Sequence, residues 1–131
     1  PNLPPEWFDT LKRLSHDGTV LERTRNDFQA LLKAAALSIS QAGYNTVLDV
    51  VSTRVRAVLV PFAAQGETEQ TLRAERMAAA GLAQIVHEDG MTPERLAAAV
   101  DTAWAAPQPD INIDLSGASE SARIIAESVS L

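Results

Sequence analysis

The run Arg56–Phe62, "RAVLVPF", constrains the fold more than any other stretch. Ala57–Val60 are apolar in succession, with no polar alternation, which suits a strand covered on both faces. Pro61 ends it, because proline cannot donate to a sheet ladder. Such a strand belongs inside a parallel sheet with helices on either side. The rest of the chain reads that way.

"WFDTLKRLSH" follows Pro4-Pro5-Glu6 as a helix with proline near its first turn, and Trp7, Leu11 and Leu14 recur on one face. "DGTVLERT" reads as a turn at Asp17-Gly18 and a short strand over Thr19–Arg23. "NDFQALLKAAA" reads as a helix capped by Asn26, with Phe28, Leu31, Leu32 and Ala35 on one face. Leu37–Ser40 is a second strand, and "NTVLDVVST" a helix. After the apolar strand, "AAQGETE" is a loop and Thr68 caps a helix that stops at Gly81. Leu82–Val86 is the next strand. Thr92 and Pro93 open a helix with Leu96, Val100, Ala103 and Trp104 inward. "APQPDINIDLSG" is extended, and Ala118–Val129 is a last amphipathic stretch with Ala122, Ile125 and Val129 inward. Strands alternating with helices imply right-handed βαβ units and a parallel α/β sheet of about four strands with helices on both faces. Residues 1–106 form the expected domain, and 107–131 a tail and helix packing back on it.

Composition narrows the function. The net charge is -6, which argues against a general nucleic-acid binder, since such proteins need a basic face. Nine of the 11 basic residues are arginine, a bias that suits phosphate or carboxylate pairing but that codon usage produces equally well. Cysteine is absent, and His16 and His87 have no metal-ligand spacing, so neither a metal nor a cofactor is expected. No apolar run reaches the ~18 residues of a membrane helix. No signal peptide is visible, so a cytoplasmic setting, including the inner face of the membrane, is the expectation. The chain begins at Pro1 rather than Met, which suggests a piece of something longer.

In open α/β sheets ligands bind beyond the carboxyl ends of the strands. Four corners qualify: Thr24-Arg25-Asn26, Gln41–Thr46, Phe62–Thr68 and His87–Thr92. The second is the richest. Gly43 permits a tight turn and close approach of a ligand. The helix start after it suits an anion such as phosphate. Thr46 can cap that helix or donate to a phosphate, and Asp49, one turn in, can accept from both hydroxyls of a diol. A plain strand–loop–helix corner with a solvated Asp fits the same spacing. At the third corner Glu69 and Gln70 can bond sugar hydroxyls, or Glu69 can simply be an acid at a helix N-terminus. Arg25 can approach a base or a phosphate or be a solvated loop arginine, and His87 can be an acid/base or a surface histidine. Arg73 and Arg76 can each pair with phosphate, and Arg76 equally with Glu69 or Glu75.

Together the corners resemble a family. The run "LLKAAALSISQAGYNTVLDVV…AVLVPFAAQGETEQTLRAERMAAAGLAQIVHEDGMTPERLAAAV" is similar to the C-terminal nucleotide-sugar-binding domain of GT-B glycosyltransferases of family 28. That group includes the peptidoglycan N-acetylglucosaminyltransferase. The shared pattern is Ser-x-x-Gly-x-x-Thr-x-x-acid, an apolar strand ending in proline, an acid-Gln-x-x-x-Ala helix, then glycine. It covers roughly Val20 to Trp104.

The resemblance implies a Rossmann-like fold and a sugar transferred from a nucleoside-diphosphate donor such as a UDP-sugar. Gly43, Tyr44, Asn45 and Thr46 then match the residues facing the diphosphate. Asp49 matches the ribose-holding acid, Glu69 and Gln70 the sugar readers, and Thr24 and Arg25 the nucleobase border. Asp49 stands where the family usually has Glu, Arg54 and Arg56 where it has Gly and Pro, and Arg73 where Asn is frequent. The family's opening strand and glycine-rich loop, its second strand and its acceptor-binding N-terminal domain are not matched. No catalytic residue is therefore expected in this chain, and no turnover by it alone. The gap would be closed by pairing the strands at Val20 and Leu37 directly or by pairing with a second copy as a homodimer. A non-catalytic binding subunit that needs a partner protein, and part of a sugar-nucleotide epimerase, are the alternatives.

Overall fold

A computed structural model of the 131-residue chain describes residues 4–63, 68–110 and 116–129. In chain order the elements are α1 (Pro5–Leu14), α2 (Phe28–Ala34), β1 (Ser38–Ser40), α3 (Tyr44–Thr53), β2 (Ala57–Leu59), α4 (Glu69–Ala79), β3 (Gln84–Ile85), α5 (Pro93–Ala105) and α6 (Gly117–Val129). The sheet is parallel and three-stranded, ordered β1-β2-β3. Ser38 pairs Ala57, and Leu59 pairs both Ser40 and Ile85. The fold is α/β and Rossmann-like.

The apolar run is the centre of this sheet, and the strand period of two explains why it has no polar member. Ala57 and Leu59 face one cluster, with Leu32 of α2, Val47 and Val50 of α3, and Ala74 and Met77 of α4. Val58 faces the other, with Val86 and Ala103 and with Leu96, Ala99 and Val100 of α5 packed on it. Sequential strand order with right-handed crossovers places α3 and α4 on the same face. The chain changes face only after β3, so among the described residues α5 is the helix that packs on the other side.

Helix stops follow local chemistry. Gly81 adopts φ +71, its N–H donates to the Ala78 carbonyl at 2.9 Å, and the Leu82 N–H donates to that of Met77 at 2.9 Å. That pair of bonds is the Schellman stop expected of a glycine past a helix end. α3 ends differently: Arg54 holds the left-handed conformation, φ 56, where a glycine would be unstrained. Its side chain reaches Asp110 at 3.5 Å, but both groups are largely exposed, so the pair offsets little. Arg54→Gly should therefore raise the unfolding free energy by about 1 kcal/mol in a urea titration. A loss of stability would mean that the Asp110 contact matters more than its exposure allows.

Four expectations need correction. The strand over Thr19–Arg23 does not form, and Val20 is 79% exposed. A strand needs a partner ladder, and none of the described residues pairs with the outer edge of β1, so the sheet has three strands rather than four. That outer edge carries Ile39, itself 51% exposed. The N-cap of α2 is Asp27 rather than Asn26, and its side chain makes no cap bond because Arg25 holds its carboxylate. Trp104 lies outside the α5 stripe, which is completed instead by small residues. Finally, α6 has no buried residue, and Ile125 and Val129 are exposed rather than inward. This helix carries its own ion network, with Arg123 paired to Glu120 and Glu127.

The cap at Thr92 is as expected, its hydroxyl accepting from the Arg95 N–H at 3.2 Å beside Pro93. Trp7, Leu11 and Leu14 share the predicted face of α1 but are exposed. No described helix is long and apolar enough to cross a membrane.

Candidate functional site

The carboxyl ends of β1, β2 and β3 lie at one edge of the parallel sheet, so the corners after them are neighbours. After β1, Gly43 is the N-cap of α3 with φ -60 and ψ 151. Any residue adopts that backbone, so the turn itself does not demand glycine. What glycine provides is space: a Cβ there would meet only the Thr46 hydroxyl, at 3.8 Å. No side chain caps α3, and a helix start leaves its first N–H groups without intrahelical partners. The Thr46 hydroxyl thus does not cap the helix. The hydroxyl of Ser40, at the end of β1, is buried without a hydrogen-bond partner among the described residues.

Asp49 lies one turn into α3 and is half-buried. Its Oδ1 accepts from Gln29 Nε2 at 2.6 Å. Helix α2 packs on α3, and this bond fixes the carboxylate's orientation. The second oxygen has no partner among the described residues. Tyr44, Asn45, Asp49 and Gln29 line one open groove, which the start of α6 borders at Gly117 and Ala118.

Phe62 and Ala63, which open the corner after β2, are held by side chains from elsewhere. Gln70 Oε1 accepts from the Phe62 N–H at 3.2 Å, and Glu88 Oε2 from the Ala63 N–H at 3.4 Å. Gln65, Gly66 and Glu67 of this corner lie outside the described residues. Glu69 is exposed and forms an ion pair with Arg73 at 3.6 Å. Arg73 in turn donates from Nη1 to the Ala42 carbonyl at 2.8 Å and sits 5.8 Å from the Tyr44 ring centre. This arginine brings the first turn of α4 beside the start of α3, so Glu69 and Gln70 stand next to the Gly43–Thr46 corner.

Thr24 and Arg25 precede α2 and, with no strand before them, do not stand at a sheet edge. Arg25 donates to both carboxylate oxygens of Asp27, at 2.8 and 2.7 Å, and to Glu22 at 2.8 Å. The hydrogen bonds with Asp27, then Glu22, hold the guanidinium pKa above its ordinary value. The same bond from Arg25 holds the Asp27 carboxyl below its usual range. These groups are exposed, so the network orders the loop before α2 without strongly stabilising the fold. Among the described residues no cluster of His, Asp or Glu could hold a metal ion.

The profile of the glycosyltransferase family 28 C-terminal domain matches residues 12–127. The chain belongs to this family. Similar proteins include the UDP-N-acetylglucosamine--N-acetylmuramyl-(pentapeptide) pyrophosphoryl-undecaprenol N-acetylglucosamine transferase of Paramagnetospirillum magneticum, 31% identical over 79% of this chain and 29% of that protein. The protein of the same name in Brucella anthropi is 34% identical over 63% of this chain and 22% of its own length. That of Corynebacterium efficiens is 36% identical over 56% and 20%. This family 28 chain thus spans less than a third of the length of the relatives it matches. No solved structure matches it.

Two features of the candidate site in this family 28 chain have little or no signal in the sequence. The Gln29–Asp49 bond joins residues 20 positions apart on different helices, and no spacing announces it. The bridge from Arg73 to Ala42 spans 31 positions. Its only sequence signal is an arginine one turn past Glu69.

Proposed function

We propose that this chain is the donor-binding part of a transferase that takes a sugar from a nucleoside diphosphate. The observation that carries the reading is the groove along α3, where an uncapped helix start and an oriented carboxylate one turn further in lie together. The relatives act on a UDP-N-acetylglucosamine donor by their names, so a uridine diphosphate (UDP) sugar is the first donor to test.

In this reading the N–H groups of Tyr44–Thr46 face the diphosphate. They stabilise the charge that builds on the leaving group as the glycosidic bond breaks, with no reorganisation needed at that moment. Gln29 holds one Asp49 oxygen, and the other accepts from the ribose hydroxyls. The Asp49 side chain is one methylene shorter than a glutamate, and the bond from Gln29 compensates by fixing its direction. Glu69 and Gln70 meet the sugar. Gln70 does so with its amide N–H groups, since its carbonyl oxygen already accepts from Phe62. Thr24 and Arg25 border the nucleobase, with Arg25 acting through the loop that it orders. The acceptor-binding site and the catalytic base come from protein outside these 131 residues. Incubating this chain alone with UDP-sugar and acceptor should give no transfer, and transfer would contradict that placement.

A thermal-shift screen of nucleotide sugars tests the donor reading. A donor at 100 times its dissociation constant should stabilise the fold by about 2.7 kcal/mol. UDP-N-acetylglucosamine should raise the melting temperature more than free N-acetylglucosamine does. No shift with any nucleotide sugar at millimolar concentration would contradict the reading.

A further inference from the structure

We infer that Arg73 is the positioning residue of this site, locking the two corners together and contacting the phosphate nearer the sugar. The inference rests on the donor-binding reading above. Arg73 belongs to α4, but its side chain leaves that helix for the neighbouring corner. Nη1 donates to the carbonyl of Ala42, the residue just before the Gly43 N-cap. Because that carbonyl precedes the helix start, its position sets where the N–H groups of Tyr44–Thr46 point. A helix-surface ion pair alone would leave the arginine exposed on its own helix. Here the side chain is 25% exposed, against 82% for Glu69.

Donors are also available, although Glu69 already pairs with the charge at 3.6 Å. A guanidinium has five N–H donors. Among the described residues one of them makes a hydrogen bond, to Ala42, and the contact with Glu69 at 3.6 Å lies beyond hydrogen-bond reach. Partial burial weakens the solvent screening of this cation. It adjoins the positive end of α3, so the two act on the same anion. Its place between the α3 start and the first turn of α4 is the place between nucleoside and sugar in the proposed pose. A guanidinium there meets the second phosphate, which UDP has and uridine monophosphate (UMP) lacks.

The test is calorimetric titration of the chain and its Arg73→Gln and Arg73→Lys variants with UDP and with UMP. The unmodified chain should prefer UDP, and Arg73→Gln should shrink the UDP-to-UMP affinity ratio by about tenfold, as expected for loss of a charge-assisted bond. Arg73→Lys should restore part of the ratio, because it keeps the charge and loses the planar fork. A merely structural role would weaken both ligands alike. If Arg73→Gln folds and keeps the original ratio, the inference is overturned while donor binding stands. If the unmodified chain binds neither nucleotide, the donor reading fails and takes the inference with it. Should Arg73→Gln not fold, the Arg73 side-chain nitrogen resonances of the unmodified chain decide. Movement with UDP and not with UMP supports the contact, and equal or no movement overturns it.

Discussion

Leu59→Ala should lower the unfolding free energy by about 3 kcal/mol and the melting temperature by roughly 10 °C. Leu59 is fully buried in the central strand, and its side chain joins the cluster under α2, α3 and α4. Truncation removes its transfer free energy and leaves a cavity whose walls come from several elements at once. Those walls cannot all move in without breaking the sheet register, so the cost falls well inside the range for buried leucines. Ile39→Ala is the control. That residue is in the adjacent strand but 51% exposed at the open edge, so the same chemistry should cost under about 1 kcal/mol. Urea unfolding of the two variants measures the contrast. Equal losses would mean that the two-faced burial of β2 is not what holds the sheet.

Asp49→Ala should weaken UDP binding by about ten- to hundredfold, the range for loss of hydrogen bonds to a charged group. The deoxyribose analogue identifies the partner. In the unmodified chain, UDP should bind more tightly than its 2′-deoxy counterpart. In Asp49→Ala the two should bind alike, because the group that tells them apart is gone. This crossed comparison isolates the contact from any general weakening. The variant itself should fold, since Asp49 is half-buried and its side-chain partner among the described residues, Gln29, lies at the exposed groove. A deoxy preference that survives loss of Asp49 would remove the ribose role.

The contrast between these two residues shows what sequence reading reaches. The run at Ala57–Val60 announced a strand buried on both faces, because its lack of alternation has one physical cause. Gly81, Thr92 and Pro93 announced helix boundaries through local backbone chemistry, and all three act as read. Thr19–Arg23 did not become a strand, because strand formation depends on a neighbour that local pattern cannot supply. The stripes on α1 and α6 were legible as amphipathic, but periodicity does not say what covers a stripe. Trp7, Ile125 and Val129 remain exposed.

The site divides in the same way. Gly43 and Asp49 were legible as a corner and an acid one turn apart on one helix. The bond from Gln29 and the bridge of Arg73 to Ala42 were not, since both depend on how α2 and α4 pack beside α3. A glycine at position 43 suggests conformational freedom, yet its φ of -60 is ordinary. Its contribution is the space above the helix start.

Backbone amide spectra recorded while UDP-N-acetylglucosamine is titrated into the chain test the central claim most directly. The account predicts that the Gly43–Thr46 amides move first and furthest, with smaller changes at Asp49, Glu69 and Gln70. Saturable changes confined to another surface, with the Gly43–Thr46 amides unmoved, would contradict it.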